Sequence, residues 1–132
     1  GEFQLMGKDA QLQFIQRAQT EVLGEVQRAE ITFYSINPSG QTMHLNVRTA
    51  RSEEGMERIA QATGGTAFIP KGDSDLDGIF RRIASEIRSQ YLIQYYSNNQ
   101  STGRAFRRIA VSAPAQPQLR VRAREGYYPK AK

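Results

Sequence analysis

Cysteine is absent from the 132 residues, and histidine occurs once, as His44. Without cysteine there is no disulfide framework, no thiolate metal site and no cysteine nucleophile. The missing disulfides say little about compartment, since exported proteins also do without them. A lone histidine excludes a two-histidine metal site and a His–His acid–base pair. No apolar run approaches the roughly 20 residues that a membrane-spanning helix needs. These absences leave few ways to build a catalytic centre, and the chain is expected not to be an enzyme and to carry no cofactor.

Hydrophobic residues make up 39% of the chain. That is below the usual share, but they fall in periodic blocks, so the chain is expected to fold as one domain. The formal charge of +5 is unevenly spread. Residues 1–75 carry a balance of −3 and residues 76–132 a balance of +8, most of it after residue 104. Such asymmetry suits an acidic partner surface, whether nucleic acid or anionic lipid.

Gly1-Glu2-Phe3 reads as an expression-vector remnant, so residues 1–8 are set apart as a disordered start, with the domain over 9–129 and a tail at 130–132. From Asp9 to Arg28, Leu12, Ile15, Ala18, Val22 and Val26 recur at spacings of three and four, which predicts an amphipathic helix. Ile31 to Ile36 is β-branched and aromatic, the pattern of a strand buried on both faces. Asn37-Pro38-Ser39-Gly40 favours a type I turn. Met43, Leu45 and Val47 then alternate with polar residues, so a strand over 42–48 can fold back on 31–36 as a hairpin.

Ser52 before Glu53 and Glu54 marks the start of a second helix, with a stripe of Met56, Ile59, Ala60 and Thr63 and a stop at Gly64-Gly65. Thr66 to Pro70 reads as a short strand. Ser74 and Asp77 have capping-box spacing for a third helix, whose stripe Leu76, Ile79, Phe80, Ile83 and Ile87 is the cleanest in the chain. Tyr91–Tyr96 is expected as a strand, and so are 105–112 and 119–124. Alternating helices and strands followed by a strand-rich tail predict an α/β fold: parallel core strands, antiparallel C-terminal strands and about three flanking helices.

Phe33-Tyr34-Ser35-Ile36-Asn37-Pro38-Ser39-Gly40, followed by Ile59-Ala60-x-x-Thr63-Gly64-Gly65-x-Ala67-Phe68, resembles the later strands and helices of von Willebrand factor type A (VWA) domains. The likeness is closest to the VWA-related proteins of acidobacteria. Ser89 to Tyr96, Phe106-Arg107-Arg108-Ile109-x-Val111 and Val121-Arg122-Ala123-Arg124-x-Gly126-Tyr127-Tyr128 extend it over roughly residues 10–129. The resemblance implies a truncated, Rossmann-like VWA-type sheet lacking its N-terminal strands. It further implies a role in protein–protein contacts and an extracytoplasmic location. The family's metal-ion-dependent adhesion site needs Asp-x-Ser-x-Ser, and this sequence contains no such motif.

Asp73-Ser74-Asp75-Leu76-Asp77-Gly78 opens like a calcium loop, but its twelfth position is Ala84 where a bidentate Glu belongs. Acidic residues also suit a helix start, and that reading is preferred to a weak cation site. His44 reads as a surface histidine on the wet face of its strand. Gly64-Gly65 has no phosphate-loop context, and no Gly-x-Ser-x-Gly elbow occurs. Arg120, Arg122 and Arg124 have period-2 spacing, with Arg104, Arg107 and Arg108 on a neighbouring strand pattern. This surface suits phosphate backbones or an acidic protein. The alternative, preferred here, is a charged sheet edge that resists aggregation while Val121 and Ala123 face the core.

The leading expectation is a non-enzymatic interaction module without the metal site, self-associating as a homodimer. The expected dimer edge is Ile31, Phe33, Tyr34 and Ile36, left without the strand that pairs with it in the resembled fold. Binding of nucleic acid or another acidic partner through the arginines is the alternative.

Overall fold

The helical periodicity of residues 9–28 is realised as α1, Lys8–Arg28, in the computed structural model, which describes residues 6–37, 47–99 and 103–130. Val26 and Gln27 are buried at its end, and Leu12, Ile15 and Leu23 are half-buried, whereas Val22 is exposed. The helix stops at Ala29, after which Glu30 adopts a left-handed φ of 57°.

Helix α2 runs Val47–Ala62 and packs against α1. The start expected at Ser52 is corrected, because Ser52 lies inside the helix. The strand expected over 42–48 is also corrected in part: Val47 and Arg48 open α2, and residues 42–46, His44 among them, lie outside the described residues. The turn at 38–40 lies outside them too. The close approach of α1 to α2 occurs at Gly55, where a Cβ would run into the side chain of Gln19. Gln19 Nε2 donates to the Arg51 carbonyl at 3.1 Å. Ile59, Ala60, Ala62 and Thr63 are buried, while Met56, placed on the stripe from sequence, is exposed.

Gly64 ends α2 with φ of 83°. The Gly65 N–H reaches the Ala60 carbonyl at 2.8 Å and the Gly64 N–H the Gln61 carbonyl at 3.1 Å, the paired bonds of a Schellman stop. Two short strands follow from this geometry: β1, Ser35–Ile36, and β2, Ala67–Phe68, pair in parallel with α2 between them. The strand expected over 31–36 is therefore shorter and wetter than its composition suggests. Ile31 is exposed, and Phe33, Tyr34 and Ile36 are half-buried, because β1 has one partner strand among the described residues.

After a 3-10 turn at Asp73–Asp75 comes α3, Leu76–Arg88. Its capping box does not form: the cap residue is Asp75, which makes no side-chain cap, and its carboxylate instead accepts the Lys71 N–H at 2.9 Å. Residues 91–96 form no strand, and Tyr91, Leu92, Ile93, Tyr95 and Tyr96 are all exposed. The C-terminal strands are shorter than expected and displaced. Strand β3, Arg107–Arg108, pairs antiparallel with β4, Gly126–Tyr127, while 119–124 contributes a single bridge from Arg124 to Thr63. Val121 and Ala123 are exposed and do not face a core.

The architecture is thus mixed α/β, with three helices, one small parallel sheet and one small antiparallel sheet among the described residues. Its core is Val26, Ile59, Ala60, Ala62 and Phe68, gathered between α1, α2 and β2. No helix among the described residues is long and apolar enough to cross a membrane.

Candidate interaction surfaces

The expected dimer edge begins at Thr63. Its Oγ1 accepts the Phe33 N–H at 2.9 Å and lies 2.9 Å from the Ala60 carbonyl, which anchors the chain entering β1 to the end of α2. From there the Ser35 and Asn37 amides bond to the Thr66 and Phe68 carbonyls at 3.2 and 2.9 Å. All of those bonds lie on the β2 side. The opposite side of β1 meets no described strand, so Ile31, Phe33, Tyr34 and Ile36 stand beside an edge two residues long.

The six arginines of the expected surface differ in how they are engaged. Arg122 is held by Glu86 of α3, Nη2 to Oε2 at 2.7 Å, and also touches the Thr66 hydroxyl. Arg82 binds the other oxygen of Glu86 at 3.3 Å and lies over the Phe68 ring at 5.3 Å. Burial by itself raises the Glu86 pKa, but hydrogen bonds and charge from Arg122, then Arg82, outweigh it and hold the carboxyl below its usual range. Arg107 donates to the Ser97 hydroxyl at 3.2 Å. Arg124 is half-buried at its bridge to Thr63, and Arg104, Arg108 and Arg120 are exposed. The period-2 spacing of 120–124 does not become one strand face, because the strand itself does not form.

A second polar cluster joins the tail to the exposed run. The phenols of Tyr95 and Tyr127 share a hydrogen bond, which holds Tyr127 below the usual tyrosine range, with help from Arg107 and Ser97, and pushes Tyr95 above it. Beside it, Phe106 stacks at a tilt on Tyr128 with centroids 5.1 Å apart, and the Arg28 guanidinium lies 4.8 Å from the Tyr128 ring centre. These contacts tie β3 and β4 to the end of α1.

The acidic run at 73–78 forms the 3-10 turn and the first residues of α3. Among the described residues, no group of three or more His, Asp or Glu side chains converges as a metal ion needs. A groove of about 320 Å³ lies between α1 and α2, lined by Gln16, Gln19, Thr20, Leu23, Arg51 and Arg58 among others. Arg51 is 3.8 Å from Glu54 there. The groove presents no nucleophile beside a base.

What the sequence did not reveal is how much of the third helix and of residues 91–96 stays exposed. No residue of α3 is buried, and Phe80 and Ile87 are 59% and 53% exposed. The Glu86–Arg122 pair and the Arg82–Phe68 contact hold one side of α3 to the rest of the chain, and Leu76, Ile79 and Ile83 are half-buried. The stripe was legible as amphipathic, and it marked a face that needs cover. Nothing in the local pattern tells whether the cover comes from the same chain. Comparison of the chain with protein-family models, curated proteins and solved structures finds no match in any of the three.

Proposed function

We propose that this chain is a non-enzymatic protein–protein interaction module, a VWA-like α/β domain without the metal-ion-dependent adhesion motif, that associates with itself. The observation that carries the reading is the exposed apolar surface formed by α3 and residues 91–96. Seven large apolar or aromatic side chains there, from Phe80 to Tyr96, are more than half exposed. Large apolar side chains exposed in such number suit an interaction surface. The parallel pairing of β1 with β2 across α2 supports the α/β part of the reading. The absence of Asp-x-Ser-x-Ser supports an interaction that does not run through a metal ion.

Nucleic-acid binding draws less support, since Arg122 is paired with Glu86 and Arg107 is engaged by Ser97. Sedimentation velocity across the micromolar range tests the proposal. A concentration-dependent dimer that persists in magnesium-free buffer with chelator is expected. A single monomeric species at every concentration would refute it.

A further inference from the structure

The apolar stripe of α3 is bordered by charges in an order that makes the helix complementary to itself. At about 100° per residue, Leu76, Ile79, Phe80, Ile83 and Ile87 centre on one line of the helix surface. Arg82 and Glu86 fall on one flank, and both are tied to the body of the protein through Arg122 and Phe68. Asp77 and Arg88 fall on the opposite flank, eleven positions apart and three turns along the axis. Both are exposed. Asp77 lies in the first turn of α3 and Arg88 in its last. One flank of the stripe therefore holds the helix on its own domain, and the other carries an acidic start and a basic end.

Two such helices brought together antiparallel about a two-fold axis place identical flanks face to face, with the start of one against the end of the other. Asp77 of each copy then stands opposite Arg88 of its partner. The two-fold axis falls near residues 82–83, at the middle of the apolar stripe. The antiparallel arrangement also sets the positive end of each helix dipole beside the negative end of the other. A contact of this kind is isologous and closes at two copies.

The available area suits a weak dimer. Phe80, Ile87, Tyr91, Leu92 and Ile93 are each more than half exposed. With aromatic side chains covering about 150–250 Å² apiece, this surface amounts to roughly 500 Å² per copy. Two copies bury about 1,000 Å², at the low end of specific interfaces.

We propose that the exposed side of α3 is a two-fold self-association surface: a second copy of this chain docks antiparallel on Phe80 and Ile87 of the helix and on Tyr91, Leu92 and Ile93 beyond it, with Asp77–Arg88 pairs on the outer flank. This rests on the self-association reading above and moves the interface from the β1 edge to α3.

The test uses the charge-reversed variants Asp77→Arg and Arg88→Asp, alone and mixed, with the native chain and Phe80→Gln beside them. Circular dichroism checks that α3 remains helical. Each reversed variant alone confronts like charges twice, and its dimer dissociation constant is expected to rise at least tenfold. The equimolar mixture restores opposite charges at both positions, and its dimerisation is expected to return to the native level. Phe80→Gln is expected to weaken association while leaving the urea midpoint of the monomer unchanged.

If the native chain dimerises and the reversed variants dimerise equally well, the α3 interface is wrong while self-association stands. Reversed variants that weaken without recovery in the mixture also overturn it. If Phe80→Gln instead lowers the monomer's urea midpoint and leaves association untouched, the face is covered by the protein's own chain and the proposal fails. A native chain that never dimerises removes both readings.

Discussion

Replacing Thr63 with Val tests how the chain entering β1 is held. The side chain is 5% exposed, and its hydroxyl accepts the Phe33 N–H at 2.9 Å while lying within donating distance of the Ile59 and Ala60 carbonyls. Valine preserves the shape and removes the hydroxyl. The Ala60 carbonyl keeps the Gly65 N–H at 2.8 Å, so that acceptor stays satisfied. The Phe33 N–H has no such substitute, because the Ser35 and Asn37 amides already use the neighbouring carbonyls of β2.

Losing a net hydrogen bond costs about 0.5–1.5 kcal/mol, and leaving a sheltered donor unsatisfied costs about 1–3 kcal/mol. Phe33 is half-buried and water reaches part of its surroundings, so a destabilisation of about 1–2 kcal/mol is expected. For a chain of this size that lowers Tm by roughly 3–8 °C. Urea titration reads the change as a lower midpoint with an unchanged slope. Amide exchange at Phe33 is expected to quicken more than exchange at Ile59. Thr63→Ser, which keeps the hydroxyl, retains the Phe33 protection. The reasoning is refuted if Thr63→Val stays within 0.5 kcal/mol of the native chain, a margin typical of surface changes, with Phe33 exchange unaltered.

Two further outcomes follow from the core and from the Glu86 cluster. Ile59 is 1% exposed, and Ile59→Ala is expected to cost about 2–5 kcal/mol in urea melts; a loss below 1 kcal/mol would show that α1 and α2 close over the gap. Glu86→Gln removes the ion pairs to Arg122 and Arg82, at about 0.5–1 kcal/mol near neutral pH for partly solvated pairs. Because the folded state holds the Glu86 carboxyl below its ordinary value of 4.5, its contribution is present above that value and is lost as pH falls through the lowered one. The stability gap between native chain and variant should therefore close in acid, and a gap constant with pH would rule out the ionised pair as its source.

Much of the local structure was legible because it is set by neighbours along the chain. The period of apolar residues marks all three helices, and Gly64 announces the left-handed stop of α2, where any Cβ is strained. Both sides of the parallel pair, 31–36 and 66–70, were placed in extended chain. The misplacements have one cause, namely that strands depend on partners. Tyr91–Tyr96 has the composition of a strand, yet no described strand pairs with it and it stays exposed. Residues 119–124 alternate correctly, yet the ladder forms at Gly126–Tyr127. There a Cβ at position 126 would meet the Arg107 carbonyl, so only glycine allows that approach.

The sequence by itself determined the helices, their stops, the acidic first half and the basic tail, and it excluded cysteine and two-histidine chemistry, because each of these is a property of residue type and spacing. Only the tertiary structure decided which charges are spent and which apolar faces are left over. Arg122 and Arg124 sit two residues apart, but one is drawn to Glu86 on α3 and the other to a bridge with Thr63. The α3 stripe reads in sequence as core, whereas in the fold Leu76, Ile79 and Ile83 are half-buried and Phe80 and Ile87 exposed, because burial depends on what the remaining chain brings against it, and no spacing rule carries that information.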